Sequence, residues 1–376
     1  TEKETHIELT EAKQVPPLNH IYFYLTKGCN LCCRHCWIAP KHQTESKIYP
    51  ELSLENFKSI IAQAKPLGLS GVKLTGGEPL MHTKIRDILE HIKKEELRLI
   101  VETNGVLCTP ELAGLMRECK NPFVSVSLDG ADAEIHEWIR GVPGSFEGAL
   151  QGIRNLVDAG FRPQIIMTIM KKNKHQIEDI VRLAEKLKAA SVKFNIMQPA
   201  GRGEEMHKSE EDLSIEELVK LGEWIERDLS KSTDLRIHHS HPMAFKPLSR
   251  LFGDKGDGCS CCGIFGIIGV LGDGSYALCG IGETVPKLVF GNVEKDSLED
   301  VWYNNGILKE IREGLPDRLE GVCRECLMKN ICLGSCIAQN YFNNKNLWSA
   351  FWYCQNTYKK KLFPETRWSS TLNSGI

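Results

Sequence analysis

Gly28-Cys29-Asn30-Leu31-Cys32-Cys33-Arg34-His35-Cys36 follows directly on Ile21–Thr26, a short run rich in β-formers. A strand that ends in glycine and then sets out Cys29, Cys33 and Cys36 as C-x3-C-x2-C is a strand-end loop built for thiolate chemistry. The same rhythm continues outward from it. Gly71–Thr75 runs into Gly76-Gly77, Arg98–Glu102 ends at Asn104-Gly105, and Phe123–Leu128 ends at Asp129-Gly130. Gln164–Met170 and Val192–Met197 complete six strand-like runs. Between them lie helical patterns: Ser53–Pro66 with Ser53 as N-cap, Thr83–Lys94, a helix opened by Thr109-Pro110, Phe146–Ala159 and His175–Ala190. Strands alternating with helices imply parallel strands and right-handed crossovers. Six units are fewer than the eight of a closed barrel, so the sequence predicts a partial (β/α)6 TIM-type barrel with a lateral mouth. Its site belongs at the C-terminal ends of the strands.

The whole chain has 376 residues, with 47 Lys and Arg against 49 Asp and Glu, a formal charge of −2. That balance gives no general pull toward nucleic acid. The longest apolar run, Cys262 to Leu271, is about half what a bilayer requires, so no membrane span is expected. Fifteen cysteines in a long chain without a signal peptide point to a reducing, cytoplasmic setting and to metal rather than disulfides. The three thiols at 29–36 suit three irons of a [4Fe–4S] cube with the fourth left open, or a zinc loop. After about residue 240 the pattern changes: Gly263–Leu271 and Ser275–Ile281 flank Gly272-Asp273-Gly274 as a hairpin, Ser297–Glu313 reads as a helix, and four cysteines crowd 323–336.

Taken together, these segments resemble the radical S-adenosylmethionine (SAM) enzymes over about residues 20–210. The cysteine loop, Thr75-Gly76-Gly77-Glu78-Pro79, Glu102-Thr103-Asn104-Gly105, Ser127-Leu128-Asp129-Gly130, His136-x3-Arg140-Gly141 and Pro199-Ala200-Gly201-Arg202-Gly203 fall in family order, each following a strand. The resemblance implies that Cys29, Cys33 and Cys36 hold the SAM cluster. It also implies that Gly76, Gly77, Glu78, Thr103, Asn104, Ser127, Asp129 and Arg140 surround SAM, with Arg140 on its carboxylate and His35 over its adenine. Cys262-x11-Gly274-x4-Cys279, then Cys323-x2-Cys326-x5-Cys332-x3-Cys336, then Cys354 resembles the SPASM domain, which carries two auxiliary [4Fe–4S] clusters. By that pattern Cys279, Cys336 and two of Cys259, Cys261 and Cys262 (Cys259 and Cys262 are taken here) hold the inner cluster. Cys323, Cys326, Cys332 and Cys354 hold the outer one. A zinc ribbon would use four cysteines and leave the rest over.

The expected organisation is an arm at 1–19, the barrel at 20–210, a helical bridge at 211–252, the SPASM domain at 253–360 and a tail at 361–376. The chemistry implied by the resemblance is reductive cleavage of SAM and abstraction of hydrogen from a substrate C–H bond by a 5′-deoxyadenosyl radical. The implied partners are a peptide substrate, an external electron donor (flavodoxin or ferredoxin) and a separate leader-peptide recognition protein. Thioether formation, carbon–carbon crosslinking and epimerisation are the candidate reactions. Cys32 and Cys261 are the spare thiols near the clusters and the candidate hydrogen donors. Tetrapyrrole side-chain processing, as in an alternative haem pathway, is the competing enzymatic reading, and an iron–sulfur electron carrier the non-enzymatic one. Sulfatase-type maturation is disfavoured because Gly280, not Asp, follows Cys279.

Overall fold

The computed structural model describes residues 15–44, 47–252 and 262–369. Six parallel strands form the heart of the sheet: β1 (His20–Tyr24), β2 (Gly71–Thr75), β3 (Arg98–Thr103), β4 (Lys120–Ser127), β5 (Gln164–Ile169) and β6 (Ser191–Ile196). They pair in chain order, each parallel to the last. Alternation sets their two faces. Ile21, Phe23, Val72 and Leu74 point outward into the main apolar core. Tyr22 and Tyr24 alternate with them, and Tyr24 opens onto the strand-end cavity. The first crossover helix, α1 (Leu54–Ala64), is capped by the Ser53 hydroxyl on the Asn56 N–H at 3.1 Å. Its Phe57 ring packs 4.6 Å from that of Phe23.

Two further strands extend this arc. The segment 211–252, expected as a helical bridge, does contain a helix, Ile215–Arg227, closed by a Ser214–Glu217 capping box. It also contains β7 (Arg236–His239), which pairs parallel with β6. On the other side, β8 (Ile267–Val270) pairs parallel with β1, His20 opposite Ile267. It continues antiparallel into β9 (Ser275–Ala277) and β10 (Val289–Asn292), the hairpin read from Gly272-Asp273-Gly274. The sheet order is therefore β10-β9-β8-β1-β2-β3-β4-β5-β6-β7. The parallel arc is wider than six strands, yet β7 and β8, at its two ends, do not pair with each other among the described residues, so the mouth stays open.

Two local readings are corrected. The helix expected over Ser297–Glu313 is two, Leu298–Asn304 and Gly306–Gly314. Asn305 ends the first, and its side chain caps the Ile307 and Leu308 N–H groups of the second. A helix not anticipated, Ala133–Arg140, is capped by Asp132 and ended by Gly141 at φ 74°. It matters because its last turn carries Arg140.

Candidate active site

The cysteine loop is tied down from three sides. The Cys32 N–H donates to the Arg140 carbonyl at 3.0 Å and the Arg34 N–H to the Ile139 carbonyl at 2.9 Å, docking the loop on the end of helix Ala133–Arg140. The Arg202 guanidinium reaches back from beyond β6 to the carbonyls of Cys33 (2.7 Å) and Pro40 (2.8 Å). The Asn104 amide donates to the Asn30 side chain at 2.7 Å. Cys29 and Cys33 are buried, and Cys36 is half-buried. Burial first, then neighbouring thiols, pushes Cys29 well up and Cys36 to about 11. Such thiols ionise only with a cationic centre beside them, which is the condition of an iron–sulfur ligand set.

The glycines have an immediate packing cause. A Cβ on Gly77 would stand 1.7 Å from the Gly28 carbonyl oxygen, and Gly76 takes φ 130° against the Tyr24–Leu25 backbone. Gly77 is thus required where the β2 end approaches the cysteine loop, and Gly76 where it approaches the end of β1, while both also line the strand-end cavity. Glu78, 1% exposed, is also occupied: it accepts from the N–H groups of Leu80 (3.1 Å) and Asn104 (2.8 Å) and from the Thr103 hydroxyl (2.6 Å). Three of its roughly four acceptor positions thus order the ends of β2 and β3.

Arg140 and Asp129 form a buried pair at 2.8 Å. Burial pushes Asp129 up, but Arg140 and then His35 outweigh it and hold the carboxyl below the usual range. Burial followed by Arg140 pushes His136 down to about 3, leaving it neutral to accept the Asp129 N–H at 3.3 Å. His35 sits 3.5 Å from Asp129 and is likewise held down, to about 4, chiefly by burial.

A cavity of about 380 Å³ opens above these groups, lined by Cys29, Cys33 and Cys36 on one side. Of the nine expected SAM neighbours, eight line it, and Asp129 lies behind Arg140. Arg140 Nε, His35 Nδ1, Arg202 Nη2 and Gln198 Oε1 are buried here with no hydrogen-bond partner. Those unfilled polar atoms, next to buried thiols, fit an amino-acid-bearing sulfonium nucleoside. Cys32, by contrast, packs against Gly141 and is not part of the lining, so its candidacy as hydrogen donor is not supported. Cys259 and Cys261 lie outside the described residues. Cys108 and Cys119 are buried in the apolar core, where Cys119 donates to the Leu89 carbonyl at 3.7 Å.

Cys279 and Cys336 form the far wall of the same cavity. Burial first, then Cys336 and Cys262, pushes the Cys279 thiol up, so these three thiols lie near one another. Cys336 precedes helix Ile337–Asn344, and burial, only partly offset by the Gln339 and Ala338 N–H groups, pushes its thiol up. Cys323, Cys326, Cys332 and Cys354 surround a separate, small apolar cavity with Leu319, Val322, Met328 and Phe351. The N–H groups of Met328 and Phe351 donate to the sulfurs of Cys326 and Cys323, each at 3.4 Å.

Sequence reading missed the interior of the barrel. Lys73 on β2 pairs with Glu102 on β3 at 2.7 Å and lies over the Tyr22 ring at 4.7 Å. Period-two spacing places these residues on the inner face, a signal that alternation alone could have given. Arg202 was quoted within its motif but given no role.

With this geometry in place, the chain belongs to the radical SAM superfamily, whose profile matches residues 23–221, and a SPASM iron-sulfur cluster-binding domain matches residues 259–327. The barrel thus binds SAM and a [4Fe–4S] cluster, and the SPASM region binds auxiliary iron–sulfur clusters. The chain is 31% identical over 334 residues to an AdoMet-dependent haem synthase of Methanosarcina barkeri, covering 85% of this chain and 91% of that protein. It is 28% identical over 327 residues to the mycofactocin maturase MftC of Mycolicibacterium smegmatis, covering 85% and 78%. In three dimensions it superposes on Streptococcus suis SuiB bound to S-adenosylmethionine with a TM-score of 0.68, at 19% identity, over 91% of this chain and 78% of that one. No helix among the described residues is long and apolar enough to cross a membrane.

Proposed function

We propose that the chain is a peptide maturase. When bound, SAM and its cluster supply a primary-carbon radical that removes hydrogen from an unactivated C–H bond. The residues do the rest. Cys29, Cys33 and Cys36 would hold that cluster, Arg140 and Arg202 would take the SAM carboxylate side, and His35 would pack its neutral ring on the adenine. Cys262, Cys279 and Cys336, with one more thiol from 259–261, would hold the inner auxiliary cluster. Cys323, Cys326, Cys332 and Cys354 would hold the outer one.

The observation that carries the peptide reading is the wall between the two cluster sites. Ser127, Thr168, Asn195, Gln198, Ser240 and Gln339 line it. Side-chain amides offer a donor and an acceptor together, as a peptide backbone does. The two arginines of this cavity face Asp129, two loop carbonyls and the proposed SAM side, and no lysine lines it among the described residues. The open edge between β7 and β8 admits an extended chain from the side. SuiB has been crystallised with its precursor peptide SuiA, and MftC is named a maturase. We further propose a cytoplasmic setting, an external flavodoxin or ferredoxin as reductant, and a separate protein to present the leader.

The second reading, tetrapyrrole side-chain processing, is favoured by one observation, the 31% identity to the haem synthase. Converting a propionate to a vinyl group takes away one hydrogen atom, carbon dioxide and one electron, and an auxiliary cluster is a competent acceptor for that electron. The deciding experiment incubates the anaerobically reconstituted, reduced enzyme and SAM with a small peptide encoded beside it, and separately with Fe-coproporphyrin. A peptide product lighter by two hydrogens, or one labelled at an α-carbon in deuterated water, supports the maturase. Decarboxylated porphyrin with an unchanged peptide overturns it.

A further inference from the structure

Below and beside the SAM cavity lies a second cavity of about 1020 Å³, at the lateral mouth of the barrel. The two share Ile196, Gln198, Ser240, Cys336 and Gln339, so one occupant can extend through both. Arg162, Lys193 and Lys246 line the second together with one carboxylate, Asp234, among the described residues; Arg236 also lines it but has a partner of its own.

Lys193 is the informative member. It sits on the inner face of β6, opposite Ile166 of β5 and His238 of β7. The nearest interior carboxylate, Glu102, is already bonded to Lys73 at 2.7 Å. Lys193 and Lys246 have no ion-pair partner among the described residues. Burial first, then Lys73 and Lys246, hold the Lys193 ammonium below the ordinary lysine range despite Glu102. An interior cation without a counter-charge is costly to keep.

We propose that the lateral cavity is a carboxylate subsite, in which Lys193 and Lys246 receive an acidic side chain of the substrate peptide and so fix which neighbouring residue lies beside the SAM cluster. The assignment to a peptide rests on the reading above; the carboxylate chemistry does not, since a tetrapyrrole propionate would fit the same cations.

The test uses the reconstituted enzyme with SAM at constant ionic strength and three probes: N-acetyl-triglutamyl amide, its triglutaminyl counterpart, and coproporphyrin III. Binding is read by calorimetry in the wild type, Lys193→Gln and Lys246→Gln, with iron content and circular dichroism checking that each variant is folded. A carboxylate probe should bind the wild type about tenfold or more tightly than the glutaminyl peptide, and each lysine variant should lose that margin. If no carboxylate probe binds, or if binding is unchanged in both variants, the subsite is overturned, while the peptide reading still stands or falls on its own product assay. If coproporphyrin is held through Lys193 and the glutamyl peptide is not, the subsite stands and the peptide reading falls.

Discussion

The thiols at the barrel mouth and those between Cys323 and Cys354 are both largely buried, and they differ in what else reaches them. At the mouth there are three, and unfilled polar atoms of Arg140, His35 and Arg202 share their cavity. In the outer set there are four, and the remaining wall is mostly apolar, with Leu319, Val322, Met328, Phe351 and Phe363, and Lys329 its one charged residue among those described. A metal centre that must accept a ligand keeps one position and a polar side open, while one that is coordinatively complete can be sealed in hydrocarbon. The inner set combines features of both, since Cys279 and Cys336 face the reaction cavity.

The sharpest way to break this comparison is to remove one thiol from each place. Cys33→Ala should abolish 5′-deoxyadenosine release and lose about four irons while the auxiliary signals persist in electron paramagnetic resonance. Cys354→Ala should lose a similar amount of iron yet retain SAM cleavage without substrate. Equal loss of cleavage in both variants would erase the functional distinction between the sites.

Next in size is the polar side of the mouth. Arg140→Ala should keep its iron but weaken SAM binding by about one to two decades, the worth of a charge-assisted contact at roughly 1.5–3 kcal/mol. Equilibrium dialysis with labelled SAM reads it, and an unchanged affinity would remove Arg140 from the SAM contacts. Gly77→Ala tests the frame beneath. The added methyl must displace the Gly28 carbonyl, so the cost should be about 1–3 kcal/mol in thermal unfolding. An equivalent stability in the variant would show that the β2 end is free to shift.

The smallest effect is a pH slope. His136 titrates near 6.5 when unfolded and at about 3 when folded, so its contribution is complete above 6.5 and is lost as pH falls toward 3. Between pH 6 and 5 it should cost about 1.4 kcal/mol per pH unit, and His136→Gln should flatten the fall by that amount. A parallel slope in the variant would place the acid sensitivity elsewhere.

Much of the central sheet was legible because each strand carries an apolar outer face and a turn at its end. The strand Arg236–His239 was not, since its four residues offer one aliphatic side chain and its conformation depends on pairing with β6. The cysteine spacing disclosed the sites because iron chemistry dictates residue type directly. Glu78 shows the limit: its position was readable, but three donors from its own and a neighbouring loop claim most of its carboxylate. The Lys73–Glu102 pair was also passed over, because two charged residues 29 apart give no local signal of meeting.

The pairing of β1 with β8 bears on how the chain is made. Strand β1 leaves the ribosome about 250 residues ahead of β8, one of its two neighbours, which is about 12–50 s at about 5–20 residues per second. Through that interval one margin of β1 has every backbone donor and acceptor available to any passing strand, a known route to aggregation. Contacts so distant in sequence also slow folding itself. The newborn chain therefore passes through a period of vulnerability that the finished enzyme, with both margins of β1 paired, no longer displays.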